Sequence, residues 1–161
     1  MTGLPSEARW TTFYLHKDGI LSEHELWPSE GTDAFDESNF EHGSVTYATP
    51  LIVENTEVLG PSVLTLYLST TDTDALLFVT LLAIDREGQE QELTRGWLRS
   101  SQRRLREDSK PWEPIQAHKD REPLEPGKFT SYAFQLYRRH ACSKLGNASP
   151  FASKAPTTSL P

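Results

Sequence analysis

An all-β sandwich is the fold this sequence predicts, and three features carry the prediction. Apolar residues recur in steps of two over short segments, clusters of Gly, Pro and Asp punctuate those segments, and no stretch shows a convincing apolar stripe at helical spacing. At 161 residues the chain is long enough for one domain with a real core.

The segments follow in chain order. Trp10 to Leu15 is aromatic and β-prone, and Lys17-Asp18-Gly19 turns it back toward Ile20 and Leu21 as a hairpin. A loop rich in acids follows to Glu41, then a short strand at Val45 to Tyr47 that Thr49-Pro50 ends. After Gly60-Pro61, Leu64, Leu66 and Leu68 alternate with Thr65, Tyr67 and Ser69, the pattern of a strand with one buried face. Leu76 to Ile84 is almost continuously apolar and reads as an interior strand. Asp85-Arg86-Glu87-Gly88 is a turn, and Leu93 to Leu98 is the returning strand. Arg99 to Arg106 offers only Leu98 and Leu105 as an apolar stripe, too little for a helix. A proline-punctuated connection runs to Pro126-Gly127. In Phe129 to Tyr137 the residues Tyr132, Phe134 and Leu136 share one face.

Composition narrows the function. A net charge of −7 argues against generic nucleic-acid binding, and no apolar run reaches the ~20 residues that cross a bilayer. The first residues show neither a basic nor an apolar leader segment, so a cytoplasmic location is the default expectation. Cys142 is the one cysteine, which precludes an internal disulfide.

A search for chemistry returns no catalytic, cofactor-binding or metal-binding set. No G-x-S-x-G elbow is present, so the serines read as loop and strand-surface residues. His16, His24, His42, His118 and His140 lack metal-site spacing and read as exposed or hydrogen-bonded. Asp33, Asp36, Glu37 and Glu41, or Asp72 and Asp74, offer oxygens to Ca²⁺ but in no loop pattern, so solvated acids are expected. Arg99, Arg103, Arg104 and Arg106 form the one basic cluster, expected to pair with Glu107 and Asp108 rather than to bind an anion. Trp10, Trp27, Trp97 and Trp112 are expected in the core or against a partner domain, with a sugar-binding surface as the alternative.

Near Tyr137 the pattern stops. Arg138 to Pro161 holds Arg138, Arg139, Lys144 and Lys154 and no acid, leaving 12 basic and 23 acidic residues before it, a net of −11. The body is acidic and alternating; the tail is basic, Ala/Ser/Pro-rich and without a period.

Two stretches, LTLYLSTTDTDALLFVTLLAIDREG after Gly60-Pro61 and LTRGWLRSSQRRL followed by Ser109-Lys110-Pro111 and EPLEPG, resemble the C-terminal domain of the Xaa-Pro dipeptidyl-peptidase and cocaine-esterase-like serine hydrolases. The hairpin with Trp10, Phe13, Tyr14, Leu15 and Gly19 fits the same family, although Gln102 and Gln116 stand where it often has histidine. The resemblance covers most of Trp10 to Tyr137. It implies a non-catalytic, galactose-binding-like jelly-roll sandwich that packs against an α/β-hydrolase catalytic domain bearing a Ser-Asp-His triad. No triad residue carries over to this chain. The division expected is a lead-in at 1–9, a partial sandwich at 10–137 that is incomplete at both ends, and a disordered tail at 138–161. The alternatives are a carbohydrate-binding module using Trp27 and Trp112, or a docking domain for a separately encoded hydrolase subunit.

The family pattern continues past Tyr137 with a different sequence. Restoring one base just after the Tyr137 codon, with permitted codons, turns the tail into PTSRLFEAGKRLSFRIKGADDEPP, which follows that pattern. The tail is therefore expected to be an out-of-frame product, which removes His140 and Cys142 from any functional argument.

Overall fold

The structure, a computed structural model, describes residues 8–28, 31–36, 43–53, 56–137, 143–145 and 151–154. Its regular structure is β throughout, apart from two single-turn 3₁₀ segments at Lys17–Gly19 and Ser100–Gln102. The strands are β1 (Tyr14–His16), β2 (Ile20–Ser22), β3 (Thr46–Ala48), β4 (Thr56–Val58), β5 (Ser62–Leu68), β6 (Leu76–Ile84), β7 (Glu90–Arg99), β8 (Thr130–Leu136), β9 (Ser143–Leu145) and β10 (Phe151–Lys154).

They form a six-stranded sheet in the order β1-β2-β3-β10-β6-β7 and two pairs, β4-β9 and β5-β8. The core lies between β6-β7 and β5-β8. Leu77 and Val79 of β6, Leu98 of β7 and Tyr132, Phe134 and Leu136 of β8 are all at most 5% exposed, and Leu64, Leu66 and Leu68 of β5 pack onto them. The period of two read from the sequence thus places the residues expected to face inward. Leu124, on the long connection, joins the same core. A smaller cluster of Ala83 and Leu93 is lined by Ile52, Val58 and Leu81.

The first hairpin turns as expected, with Asp18 at φ 65° and Gly19 at φ 76°. A Cβ on Gly19 would lie 2.7 Å from the Thr46 carbonyl, so glycine lets this turn press against β3. The strand expected over Trp10 to Leu15 is shorter, starting at Tyr14, and β7 is longer than Leu93 to Leu98.

Two elements differ from expectation for clear reasons. Residues 104–117 fold back as a narrow hairpin. Arg106 N donates to Ile115 O and Ala117 N to Arg104 O, each at 2.8 Å, and Lys110 and Glu113 exchange backbone bonds around the Pro111-Trp112 turn. Ser109 Oγ adds bonds to the Ile115 backbone at 3.1 Å. Such a ladder needs no apolar period. Within the tail expected to lack structure, 143–145 pairs with β4 and 151–154 pairs with both β3 and β6. Strand pairing draws on backbone groups that every non-proline residue carries, so a sequence without alternation can still enter a sheet.

Candidate functional site

The corner where β7 meets β8 brings polar and aromatic side chains together. Gly96 makes the corner possible. A Cβ there would lie 2.8 Å from Leu136 Cδ2, 3.0 Å from Gln135 O and 3.1 Å from Leu136 Cα. With hydrogen in that place, β8 crosses β7 closely enough for Tyr137 N to donate to Arg95 O and for Thr94 Oγ1 to donate to Tyr137 O. Those bonds fix Tyr137 over Trp97, with ring centroids 4.6 Å apart. Both rings remain about half exposed, and Phe78 stands opposite Trp97 across the β6-β7 pair. Arg95 sits beside them, held by Glu92 through two hydrogen bonds of 2.8 and 2.7 Å.

At the other end of β7 a carboxylate is locked in. Asp74 Oδ1 accepts from Ser100 Oγ at 2.9 Å, Ser101 N at 3.0 Å and Ala75 N at 3.1 Å, and Oδ2 accepts from Ser101 Oγ at 3.0 Å. Arg99 Nε lies 3.6 Å from Oδ2. Burial by itself would raise the Asp74 pKa. The hydrogen bonds from Ser100 and Ser101 and the charge of Arg99 outweigh it and hold the carboxyl below its ordinary value. Ser100 and Ser101 are buried, while the Asp74 side chain is about one-third exposed, so Asp74 ties the start of β6 to the end of β7 from the edge of the core.

The arginine cluster is paired, in part with other acids than the sequence suggested. Arg106 binds Asp108 at 2.9 and 2.6 Å as expected. Arg103 and Arg104 approach Glu122 at 3.5 and 3.7 Å, and Arg99 approaches Asp74, whereas Glu107 is in none of these pairs. The long connection folds back so that Glu122 N donates to Ser101 O, which brings its carboxylate to the arginines. An anion would therefore have to displace carboxylates already bound.

Apart from one local group around His16, the described histidines and remaining tryptophans do not gather into a single site. His16 is buried, donates from Nε2 to His24 O at 2.8 Å and stacks on Trp27 at 5.1 Å. Trp112 is half exposed at the hairpin turn, with Lys110 Nζ 5.9 Å from its ring centroid. Trp27 and Trp112 thus stand on different loops with different neighbours, and Trp10 is exposed. No tryptophan belongs to the buried core clusters. Among the described residues no group of His, Cys, Asp or Glu is arranged to hold a metal ion, and no helix is long and apolar enough to cross a membrane. Glu37, Glu41, His42, His140 and Cys142 lie outside the described residues. Gln116, where the family often has histidine, donates from Nε2 to Ala133 O at 2.9 Å and so pins the 104–117 hairpin to β8.

Asp33 faces the Tyr47 phenol. Burial first, then the hydrogen bond to Asp33 and its negative charge, push the Tyr47 phenol from 10.0 up to about 12. A folded-state value above the unfolded one means that this stability is complete below pH 10 and is lost as pH rises toward 12. Ultraviolet titration of Asp33→Asn should show one tyrosine ionising closer to 10 than in the parent chain.

Sequence reasoning missed both ends of β7. The Asp74 partners lie 26 and 27 residues away, and Tyr137 reaches Trp97 only through the strand crossing at Gly96. The available signal was Gly96 itself, a glycine interrupting a strand pattern.

Comparison with known proteins agrees with this architecture. Residues 2–140 match the family model described as the X-Pro dipeptidyl-peptidase C-terminal non-catalytic domain. Over 97 residues the chain is 31% identical to proteins of Mycobacterium bovis and Mycobacterium tuberculosis named as serine esterases, a stretch that covers 57% of this chain and 15% of theirs. A CocE/NonD family hydrolase from Staphylococcus aureus superposes with a TM-score of 0.84 at 21% identity, covering 94% of this chain and 29% of that one. An α-amino acid ester hydrolase superposes with a TM-score of 0.70 at 16% identity, over 93% and 29% of the two chains. The chain thus spans less than a third of the length of these relatives, in which the matched portion is part of a longer hydrolase chain. With the family model covering residues 2–140, the chain belongs to the X-Pro dipeptidyl-peptidase C-terminal non-catalytic domain family.

Proposed function

We propose that this chain is the non-catalytic β domain of an acyl hydrolase. It supports a separate catalytic domain that cleaves Xaa-Pro peptides or small esters and amides with a Ser-Asp-His triad. The observation that carries the reading is the match of residues 2–140 to a domain described as non-catalytic, joined to the absence of a nucleophile elbow from the sequence. The half-exposed Trp97-Tyr137 pair beside Arg95 supports a docking role, because aromatic and arginine side chains are the ones enriched in the energetic centres of protein interfaces. Its partners would be protein, with neither nucleic acid nor membrane involved.

The purified chain is expected to release no chromophore from p-nitrophenyl butyrate or Ala-Pro-p-nitroanilide beyond the heat-denatured control. Turnover that survives repeated purification and is abolished by a serine-directed inhibitor would overturn the reading.

A further inference from the structure

We propose that the Tyr132 hydroxyl is a ligand of one internal water molecule, held where the long connection crosses residues 100–103 beside β8. Tyr132 is 1% exposed, yet its hydroxyl has no hydrogen-bond partner among the described residues. A buried hydroxyl without a partner gives up the hydration it had in the unfolded chain and gains nothing in exchange. Nearly all buried polar groups are bonded to protein or to ordered water for this reason. Tyr132 Oη stands out against that rule, in the middle of the main core cluster.

The surroundings select the ligand. Thr130 and Tyr132 are two residues apart on β8, so their side chains leave the same face of the strand. Burial, the largest influence, pushes the Tyr132 phenol above its ordinary value of 10.0; the Arg103 charge and then the Thr130 hydroxyl pull it down, and the Asp74 charge pushes it up. A guanidinium and a carboxylate thus act on one hydroxyl with opposite sign. An ion of either charge would meet one of them as a like charge. A neutral molecule that both donates and accepts hydrogen bonds meets neither objection, and water is the smallest such molecule. Its partners would be the Tyr132 and Thr130 hydroxyls and an Arg103 N–H. A guanidinium carries five N–H donors, and Arg103 has three acceptors among the described residues: Ser100 O, Glu122 O and Glu122 Oε2.

Backbone bonds close this corner to bulk solvent. Ser100 N donates to Ala75 O at 2.8 Å, Leu124 N to Thr73 O at 2.7 Å, Gly127 N to Thr70 O at 2.8 Å and Glu122 N to Ser101 O at 2.8 Å. Arg103 Nη1 adds bonds to Ser100 O at 3.2 Å and to Glu122 O. Residues 70–75, 100–103 and 122–127 are thereby lashed together next to Thr130, the first residue of β8, and Ser100, Ser101 and Leu124 are buried. A water taken in there during folding leaves only when the corner opens, so it outlasts the tumbling of the chain.

The test measures water oxygen-17 relaxation against magnetic field on the full chain. This counts internal waters that stay longer than one tumbling time and is blind to hydroxyl protons. The Tyr132→Phe/Thr130→Val chain, with both hydroxyls gone, should hold one long-lived water fewer than the parent. In thermal melts Tyr132→Phe alone should lose roughly 2–4 °C, the effect of one hydrogen bond in a domain of this size. A crystal structure of the parent chain should place an ordered water within hydrogen-bond distance of Tyr132 Oη, a readout that stands even where the double variant fails to fold. An equal count of waters in the two chains, or a crystal with no water at Tyr132 Oη, would overturn the proposal; a lower Tm for Tyr132→Phe would then mean a direct bond to Thr130. A Tyr132→Phe chain more stable than the parent would overturn it outright, since the hydroxyl would be buried without a partner.

Discussion

Gly96→Val is expected to lower Tm by about 10 °C or to leave the chain insoluble. Three atoms already lie within 3.1 Å of where its Cβ would sit, and two of them, Gln135 O and Leu136 Cα, belong to the backbone of the strand that crosses β7. A side-chain tip can rotate away, but a strand cannot move without breaking its own pairing, here seven residue pairs from Ser62↔Leu136 to Leu68↔Thr130. Overpacking costs about 1–3 kcal/mol, the upper end applying where the neighbour is backbone that cannot yield, and each kcal/mol shifts Tm by roughly 2–4 °C in a domain of this size. Gly96→Ala should lose less. Leu136→Ala removes the nearest atom, so the Gly96→Ala/Leu136→Ala double variant should lose less stability than the sum of the two single changes. Additive losses in thermal melts would show that β8 does not press on Gly96. The same crossing orders Tyr137 over Trp97, so the Gly96→Ala chain should also show altered tryptophan emission.

The legible part of this fold is the part governed by periodicity. Leu64, Leu66 and Leu68, and Tyr132, Phe134 and Leu136, alternate because β5 and β8 each turn one face to the core, and the continuous apolar run of β6 marks a strand covered along most of its length. β7 ran longer than read because Glu90 and Gln91 are exposed and carry no apolar mark. The 104–117 hairpin was hidden because it rests on backbone bonds and on the Ser109 hydroxyl. The site was less legible than the fold. Trp97 stood out as a large aromatic on a strand, but its neighbour Tyr137 is brought in by a strand crossing that no local pattern encodes. The arginine cluster was correctly read as paired, while its main acid, Glu122, arrives from a connection whose path depends on bonds such as Glu122 N to Ser101 O.

Asp74→Ala is expected to cost about 3 kcal/mol, and the loss should depend on pH. Much of it arises at Ser100 and Ser101, which are 0% and 2% exposed and would lose their acceptor; a hydrogen bond to a charged group is worth about 1.5–3 kcal/mol, and a buried donor left alone costs about 1–3. The Arg99 contribution is small, because both side chains of that pair are about one-third exposed and water screens them. Asp74→Asn keeps an oxygen for Ser100 Oγ and the Ser101 amide, so it should cost less than alanine. The sign of the pH effect follows from the depressed carboxyl. Its stability is complete above the unfolded-state value of about 4 and is lost as pH falls through the lower folded value. Asp74→Asn has no proton to gain in that window. Melts recorded stepwise from pH 6 downward should therefore show the gap between the parent chain and Asp74→Asn constant at first and closing below about pH 4. A gap that stays constant to the acid limit would mean that Asp74 is no better held as a carboxylate in the folded chain than in the unfolded one. The serine pair would then tie β6 to β7 through neutral hydrogen bonds alone.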